Sequence, residues 1–223
     1  MALISEKDRQ QLSKLFEDLP HEVKIIFFTQ EIECQFCKVT RELIDEICSL
    51  SPKFKLEVYD YVKDADTAKL YGIDKIPAIA LIGERDTGIR FYGIPAGYEF
   101  TTLIEDLIDV ARRDVSLAAP LKAELAKVTK PVHLQVMVSP TCPYCPVAVR
   151  TAHRFSLANP NVHADMVEIS EFPYLAVKYS IQGVPVTIIN EKYSVVGAIP
   201  ESMLIDEIRK AVSQGDNITP GIV

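Results

Sequence analysis

The sequence predicts an α/β fold built from two similar units in tandem, each with a central mixed β-sheet flanked by helices. Segments with strand character and segments with helix character alternate along the 223 residues. The same order of segments occurs twice, and each copy contains one Cys-x-x-Cys pair. Alternating strands and helices favour parallel strands joined by right-handed crossovers, with helices on both faces of the sheet.

The internal repeat is visible when the two cysteine pairs are aligned. Cys34 and Cys142 lie 108 positions apart, and the same offset brings further identical residues into register without a gap. These are Pro52 with Pro160, Ala68 with Ala176, Tyr71 with Tyr179, Ile73 with Ile181, and Pro77 with Pro185. Beyond residue 82 the offset falls to 101, so the first unit contains about seven extra residues between positions 84 and 97. The junction is predicted at residues 116–120, which gives units of residues 1–115 and 116–223 that pack against each other.

Hydrophobic patterns assign the elements of each unit. In the first unit, Ser5 begins a capping-box pattern at the start of a helix that runs to about residue 19. Short β-branched and aromatic runs predict strands at 23–28, 56–61, 78–82 and 89–92, and helical spacing predicts helices at 34–50, 65–71 and 100–113. In the second unit, strands are predicted at 132–138, 162–168, 186–190 and 193–196, and helices at 121–128, 145–157, 173–179 and 201–212.

Composition and charge exclude several classes of protein. With 48% hydrophobic and 25% charged residues, the chain has enough apolar material for buried cores. Its 31 acidic and 24 basic residues are scattered and give a net charge of -7, without the Lys/Arg cluster that a phosphate-binding surface requires. The N-terminus lacks a signal-peptide pattern, and the longest apolar run, residues 76–82, is too short to span a bilayer. We therefore expect a cytoplasmic protein that binds neither nucleic acid nor membrane.

The cysteine pairs indicate redox chemistry, because reducing thiol pools remove ordinary structural disulfides from cytoplasmic proteins. Disulfide exchange needs a thiolate that attacks and a second thiol that displaces the mixed disulfide. A Cys-x-x-Cys pair after a strand and at the start of a helix supplies both, and the helix N-terminus stabilises the thiolate. Cys34 and Cys142 are therefore predicted to be the nucleophiles, and Cys37 and Cys145 the buried resolving partners. The alternative is a structural zinc site using both pairs, which the strand–turn–helix context disfavours.

A proline follows each cysteine pair by about forty residues, just before a predicted strand. The X–Pro bond prefers the trans form by only about 0.5–1 kcal/mol, so a packed fold can hold it cis, and we expect both of these bonds to be cis. A cis proline would expose the preceding backbone beside the cysteines, where a substrate chain can pair as an added strand. The alternative is an ordinary trans proline at the start of an edge strand. The residues predicted to bind substrate in this way are Ile76, Pro77, Val184 and Pro185.

Two acidic residues at matched positions are candidates for proton transfer. Glu57 and Asp165 both lie on the second predicted strand of their unit. A carboxylate buried beneath the cysteines could take the proton of Cys37 or Cys145. Because strand residues alternate between the two faces of a sheet, the alternative is that either acid points to solvent.

The second motif, Cys142-Pro143-Tyr144-Cys145, resembles the active site of glutaredoxins, and its spacing to Val184-Pro185 is similar to that of thioredoxin-fold proteins. Two such units in one chain resemble the protein disulfide oxidoreductases of thermophilic archaea and bacteria, which are related to protein disulfide isomerase. The resemblance covers essentially the whole chain, although Cys34-Gln35-Phe36-Cys37 departs from the glutaredoxin form. It implies two tandem thioredoxin folds and redox-active disulfides with no metal and no other cofactor. It also implies reductase, oxidase and isomerase activities on protein substrates, with recycling by a thioredoxin reductase.

Two other functions are alternatives to disulfide exchange on protein substrates. The redox domain of bacterial peroxiredoxin reductases also joins two thioredoxin-like units, so the second hypothesis is an electron carrier to a peroxiredoxin-type peroxidase. In that domain only one unit keeps its cysteines, and the retention of both pairs here favours the first hypothesis. The third is a binding module or holdase that uses the sheet edge and the proline loops, with the cysteines incidental.

Overall fold

The computed structural model describes residues 2–213, which contain eight α-helices and eight β-strands. The elements of the first half are α1 (Glu6–Phe16), β1 (Val23–Thr29), α2 (Cys37–Ser49), β2 (Phe54–Asp60), α3 (Ala65–Leu70), β3 (Ala78–Ile82), β4 (Asp86–Tyr92) and α4 (Tyr98–Arg112). Those of the second half are α5 (Ala119–Leu125), β5 (Val132–Val138), α6 (Cys145–Ala158), β6 (Val162–Glu168), α7 (Pro173–Lys178), β7 (Val186–Ile189), β8 (Tyr193–Val196) and α8 (Glu201–Ser213). Their order and type confirm the predicted α/β fold.

All eight strands form a single mixed sheet with the order β2-β1-β3-β4-β6-β5-β7-β8. Within each half the sheet follows one pattern. The first two strands pair in parallel, the first and third pair antiparallel, and the third and fourth pair antiparallel. The two halves are therefore equivalent four-stranded sheets, as the sequence repeat predicts.

Strands β4 and β6 join the two halves by parallel pairing, with Ile89 opposite Ala164 and Tyr92 opposite Val167. The extra residues of the first half contribute to this seam, because β4 has seven residues whereas its counterpart β8 has four. Strand β4 is almost wholly buried, while β8 lies at the sheet edge with alternate residues exposed. The insertion thus extends a strand that the junction needs rather than only a turn.

The two faces of the sheet carry different helices, and this decides what lies beneath each cysteine pair. One face packs against α1, α2, α4, α5, α6 and α8, and its strand residues include Phe27, Phe91 and Val136. The other face packs against the short helices α3 and α7, and its strand residues include Phe28 and Val167. Each fully buried side chain of this size stabilises the fold by about 1.5–3 kcal/mol relative to exposure.

Element boundaries differ from the predicted ones by at most three residues. Helix α2 begins at Cys37 rather than at Cys34, because the chain is still in a turn there and Glu33 has a φ of 61°. The predicted cap of α1 is confirmed: the Ser5 hydroxyl oxygen accepts a hydrogen bond of 3.2 Å from the backbone N–H of Asp8. None of the helices in residues 2–213 combines the length and apolar character needed to cross a bilayer.

Candidate redox sites

Both cysteine pairs lie where a strand ends and a helix begins, after β1 and β5 and at the start of α2 and α6. Each pair forms a disulfide, with Cα–Cα distances of 5.4 Å for Cys34–Cys37 and 5.5 Å for Cys142–Cys145. In each pair the first cysteine is the more exposed. Cys34 is half-buried and Cys142 is 7% exposed, while Cys37 is 2% and Cys145 0% exposed. The more exposed sulfur is the one that a substrate disulfide can approach.

The start of α6 supplies polar groups to the Cys142 sulfur. The backbone N–H of Cys145 donates a hydrogen bond of 3.1 Å to Cys142 Sγ. Since the first N–H groups of a helix have no intrahelical partner, they and the positive end of the helix dipole favour negative charge on this sulfur. Reduction of the disulfide would therefore leave Cys142 with a stabilised thiolate, which is the reactive form in disulfide exchange.

The two predicted prolines are both cis, at Ile76-Pro77 and Val184-Pro185, which confirms the expected geometry. In the second half, the Val184 carbonyl oxygen lies 3.7 Å from Cys142 Sγ. The structure thus brings Val184 and Pro185 to the second cysteine pair, immediately before β7. Ile76 and Pro77 occupy the equivalent place before β3.

Exposed apolar side chains flank both pairs. Near the first pair Ile32 is 74% exposed, and beside the second pair Tyr144 is 69% and Val147 56% exposed. Apolar surface next to a reactive sulfur is typical of a site that binds another protein chain. Of the two aromatic residues inside the motifs, Tyr144 is exposed and Phe36 is half-buried.

The two matched acids do not lie with the cysteines. Glu57 lies on the edge strand β2 opposite Ile26, and its carboxylate pairs at 2.7 Å with the half-exposed Lys24 of β1. Asp165 is buried and accepts a hydrogen bond of 2.7 Å from His133 Nε2. The ionic and hydrogen-bond partners Lys24 and His133 lower the pKa of these carboxyls, against the effect of burial.

The alternation along each strand explains this placement. Glu57 shares its face with Ile26, and Asp165 shares its face with Val167, two residues further along β6. That face carries α3 and α7, whereas α6 with Cys145 packs on the other face. We therefore give Glu57 and Asp165 no part in the proposed proton transfer.

A different acidic residue, which the sequence analysis missed, is buried at the second site. Glu99 lies in the first turn of α4 and is 1% exposed. Within residues 2–213, neither of its carboxylate oxygens has a hydrogen-bond partner. Burial raises the pKa of its carboxyl to about 7, a rise that Thr102 and His153 partly oppose.

The packing of α4 on α6 places Glu99 near Cys145. The backbone N–H of Tyr98 donates a hydrogen bond of 3.3 Å to the carbonyl of Pro140, two residues before Cys142. Further along, Asp106 of α4 contacts His153 of α6, so the two helices run side by side in the same direction. From this register we infer that Glu99 lies beside the first turn of α6, which begins at Cys145. A buried carboxyl with a pKa near 7 beside a resolving thiol can act as a general base.

Comparison with known proteins agrees with this fold and site. The family described as "Thioredoxin domain" matches residues 132–210. Among curated proteins, the chain is 28% identical over 150 residues to an NADH dehydrogenase of Bacillus subtilis, covering 66% of this chain and 27% of that protein. It is 26% identical over 164 residues to an alkyl hydroperoxide reductase component of Staphylococcus aureus, covering 74% of this chain and 30% of that protein. The chain thus spans less than a third of the length of these curated relatives.

Two solved structures resemble the chain over nearly all of its length. The structure of a mutant of the alkyl hydroperoxide reductase component AhpF from Enterococcus faecalis matches with 31% identity and a TM-score of 0.84, over 92% of this chain and 99% of that one. A protein disulfide oxidoreductase from Aeropyrum pernix matches with 29% identity and a TM-score of 0.87, over 97% of each chain.

Fold and site together define a thiol–disulfide oxidoreductase with two thioredoxin folds and two Cys-x-x-Cys disulfides. The two solved structures share this doubled architecture at the identities given above. The chain belongs to the family of doubled thioredoxin folds represented by the AhpF structures of Enterococcus faecalis, and it is similar in fold to the protein disulfide oxidoreductase of Aeropyrum pernix.

Proposed function

We propose that this protein reduces, forms and isomerises disulfide bonds in cytoplasmic protein substrates, using Cys34/Cys37 and Cys142/Cys145 as two redox sites. The observation that carries the proposal is the pair of disulfides at equivalent positions of the two halves, each with its more exposed cysteine first. The units act as residues 1–115 and 116–223, and a thioredoxin reductase returns electrons to them. Ile76, Pro77, Val184 and Pro185 hold the substrate backbone beside the sulfurs by strand addition.

Reduction of a substrate disulfide proceeds at the second site in two exchanges. The Cys142 thiolate attacks one substrate sulfur, the substrate S–S bond breaks, and the first substrate thiolate leaves and takes a proton from solvent. Cys145 then gives its proton to the Glu99 carboxylate and attacks Cys142 Sγ, releasing the second substrate thiolate. Two electrons have passed to the substrate, and Cys142 and Cys145 have become a disulfide.

The two sites differ in the chain around them, which leads us to propose a division of labour. Pro143 restricts the backbone of the second pair, and Pro146 occupies the first turn of α6, where a proline is well accommodated. Gln35 and Phe36 leave the first pair less constrained. Cys142/Cys145 is therefore the main reductant, while Cys34/Cys37 holds or resolves a second thiol of the same substrate. A tethered second site raises the local thiol concentration to about the millimolar range.

The test compares two double variants, Cys34→Ser/Cys37→Ser and Cys142→Ser/Cys145→Ser, in insulin reduction and in refolding of scrambled ribonuclease. We expect the second variant to lose most insulin reduction, the first to keep most of it, and both to lose isomerisation. Cys48→Ser is the matched control, because this half-buried thiol has a pKa raised by burial to about 12 and forms no disulfide in the described residues. Full isomerase activity in the first variant would contradict the two-site proposal.

A second candidate function is electron delivery to a peroxiredoxin-type peroxidase. It is favoured by the 31% identity to the alkyl hydroperoxide reductase component AhpF over 99% of that solved chain. The measurement is the rate at which the fully reduced protein reduces the disulfide of a purified peroxiredoxin, compared with its rate on insulin. A peroxiredoxin rate higher by two orders of magnitude would favour the carrier function over general disulfide exchange.

A further inference from the structure

A line of buried polar side chains runs along the face of α4 that packs against α6. Glu99, Thr102 and Asp106 are spaced as i, i+3 and i+7, which places them on one helix face, and each is 1% exposed. The neighbouring buried residues of α4, Leu103 and Leu107, belong to the apolar core. A buried polar group without a hydrogen-bond partner destabilises a fold by about 1–3 kcal/mol. Three buried polar side chains on one helix face therefore need partners or a function.

Two residues of α6 meet this line at Asp106: Arg150, whose guanidinium pairs with the Asp106 carboxylate, and His153, which is fully buried. Its Nδ1 lies 2.5 Å from Asp106 Oδ2, and its ring meets the edge of Phe91 with 5.0 Å between ring centroids. These two contacts fix the orientation of the imidazole. His153 lies eight residues after Cys145, about two helical turns along the same face of α6.

Three groups in this interface lack a hydrogen-bond partner within residues 2–213: both oxygens of Glu99, the Thr102 hydroxyl and His153 Nε2. They are chemically complementary. A carboxylate accepts, a hydroxyl both donates and accepts, and an imidazole nitrogen can donate or accept according to its protonation. Since Asp106 already binds Nδ1, Nε2 is the nitrogen that is free to interact with Glu99.

We propose that His153 is a positioning residue for the Cys142/Cys145 reaction: held by Asp106, it turns Nε2 to the Glu99 carboxyl during the reaction and binds it, directly or through Thr102. The proposal rests on the role of Glu99 given above. When Glu99 takes the proton of Cys145, one carboxyl oxygen carries the new O–H and the other oxygen still accepts from Nε2–H. When Glu99 is ionised, Nε2–H donates to the carboxylate, which holds it beside the thiol for the next cycle.

The charges around Glu99 determine what the loss of His153 does. Burial raises the pKa of the Glu99 carboxyl, His153 and Thr102 lower it, and Asp106 raises it. These three are the polar groups of α4 and α6 that act on it. Loss of His153 therefore moves the pKa of Glu99 upward, and removal of a nearby group that favours the ionised form typically changes a carboxyl pKa by about 1–3 units. At neutral pH Glu99 would then carry a proton and could not accept one from Cys145.

The experiment follows the two exchanges separately in the Cys34→Ser/Cys37→Ser background. Reduced protein is mixed with 5,5′-dithiobis(2-nitrobenzoate) in a stopped-flow instrument at pH 5–9. The first thionitrobenzoate is released when Cys142 attacks, and the second when Cys145 resolves the mixed disulfide. In His153→Gln we expect the pH midpoint of the second phase to rise by about 1 unit or more, with the first phase unchanged. His163→Gln, on an exposed histidine of β6, is the matched control and should show the parent profile.

The outcomes separate this proposal from the one on which it rests. If Glu99→Gln leaves the second phase unchanged, the role of Glu99 is wrong. If Glu99→Gln abolishes its pH dependence while His153→Gln keeps the parent midpoint, only the role of His153 is overturned. A midpoint does not depend on the active fraction, so partial misfolding of His153→Gln does not affect it. As a second measurement, the ¹⁵N signals of His153 should change between the parent and Glu99→Gln, and identical signals would also overturn the proposal.

Discussion

Glu99→Gln should make the protein more stable at alkaline pH, because the ionised Glu99 carboxylate destabilises the fold. Its pKa rises from 4.5 to about 7 on burial, so the folded state holds this proton more tightly than the unfolded chain does. The stabilisation that this proton provides is complete below pH 4.5 and is lost as the pH rises through about 7. A difference of about 2.5 pKa units corresponds to about 3 kcal/mol. Glutamine keeps the size of the side chain and does not ionise.

The assay is denaturant unfolding of the oxidised protein at pH 4.5, 6 and 8, for the parent and Glu99→Gln. We expect equal free energies of unfolding at pH 4.5 and a gain of about 3 kcal/mol for Glu99→Gln at pH 8. Glu105→Gln on the same helix is the matched control. That side chain is 49% exposed, so no gain should develop with pH. Equal stabilities of Glu99→Gln and the parent at pH 8 would refute the argument that burial raises the pKa of Glu99.

Two further substitutions test the geometry of the second site. Gly97→Ala should destabilise the fold by about 1–3 kcal/mol and slow the Cys145 step. Gly97 has a φ of 61°, and an added Cβ would collide with the Pro140 carbonyl oxygen. Its control in unfolding and stopped-flow measurements is Gly72→Ala, because Gly72 has a similar φ of 66° and open space around the added Cβ. Asp165→Asn should cost about 1–3 kcal/mol in denaturant unfolding, because His133 loses the charge of its buried partner and keeps only Glu191. It should leave the pH profile of disulfide exchange unchanged, and a shifted profile would restore Asp165 as a proton-transfer group.

The sequence predicts the fold well because each half repeats the same strong local signals. Strands at residues 78–82, 132–138, 162–168 and 193–196 are found with the predicted bounds, since short β-branched runs end in clear turns there. In the second half the cysteine pair and the segment before the cis proline are also found together, because the order of elements within one unit fixes both. These features depend on local sequence and on the topology of a single half.

The proton-transfer prediction for Glu57 and Asp165 depends on information that the local sequence pattern does not contain. Which face of a strand carries an acid depends on the register with its neighbours, and a one-residue difference moves the side chain to the other face. Glu57 and Asp165 match in the repeat, but both share the face of α3 and α7. Alignment of one half with the other compares equivalent positions, so it cannot reveal a residue of the first half that reaches the cysteines of the second.

Glu99 is such a residue, and its position gives a physical reason for the single continuous sheet. The pairing of β4 with β6 fixes the first half against the second, and the loop after β4 leads through Gly97 into α4. Helix α4 then packs on α6 and brings Glu99 to the turn that begins at Cys145. If the proposed role of Glu99 is correct, the second cysteine pair depends on the first half for its general base. The lengthened β4 then contributes to the second redox site, because its pairing with β6 sets the position of α4 along α6.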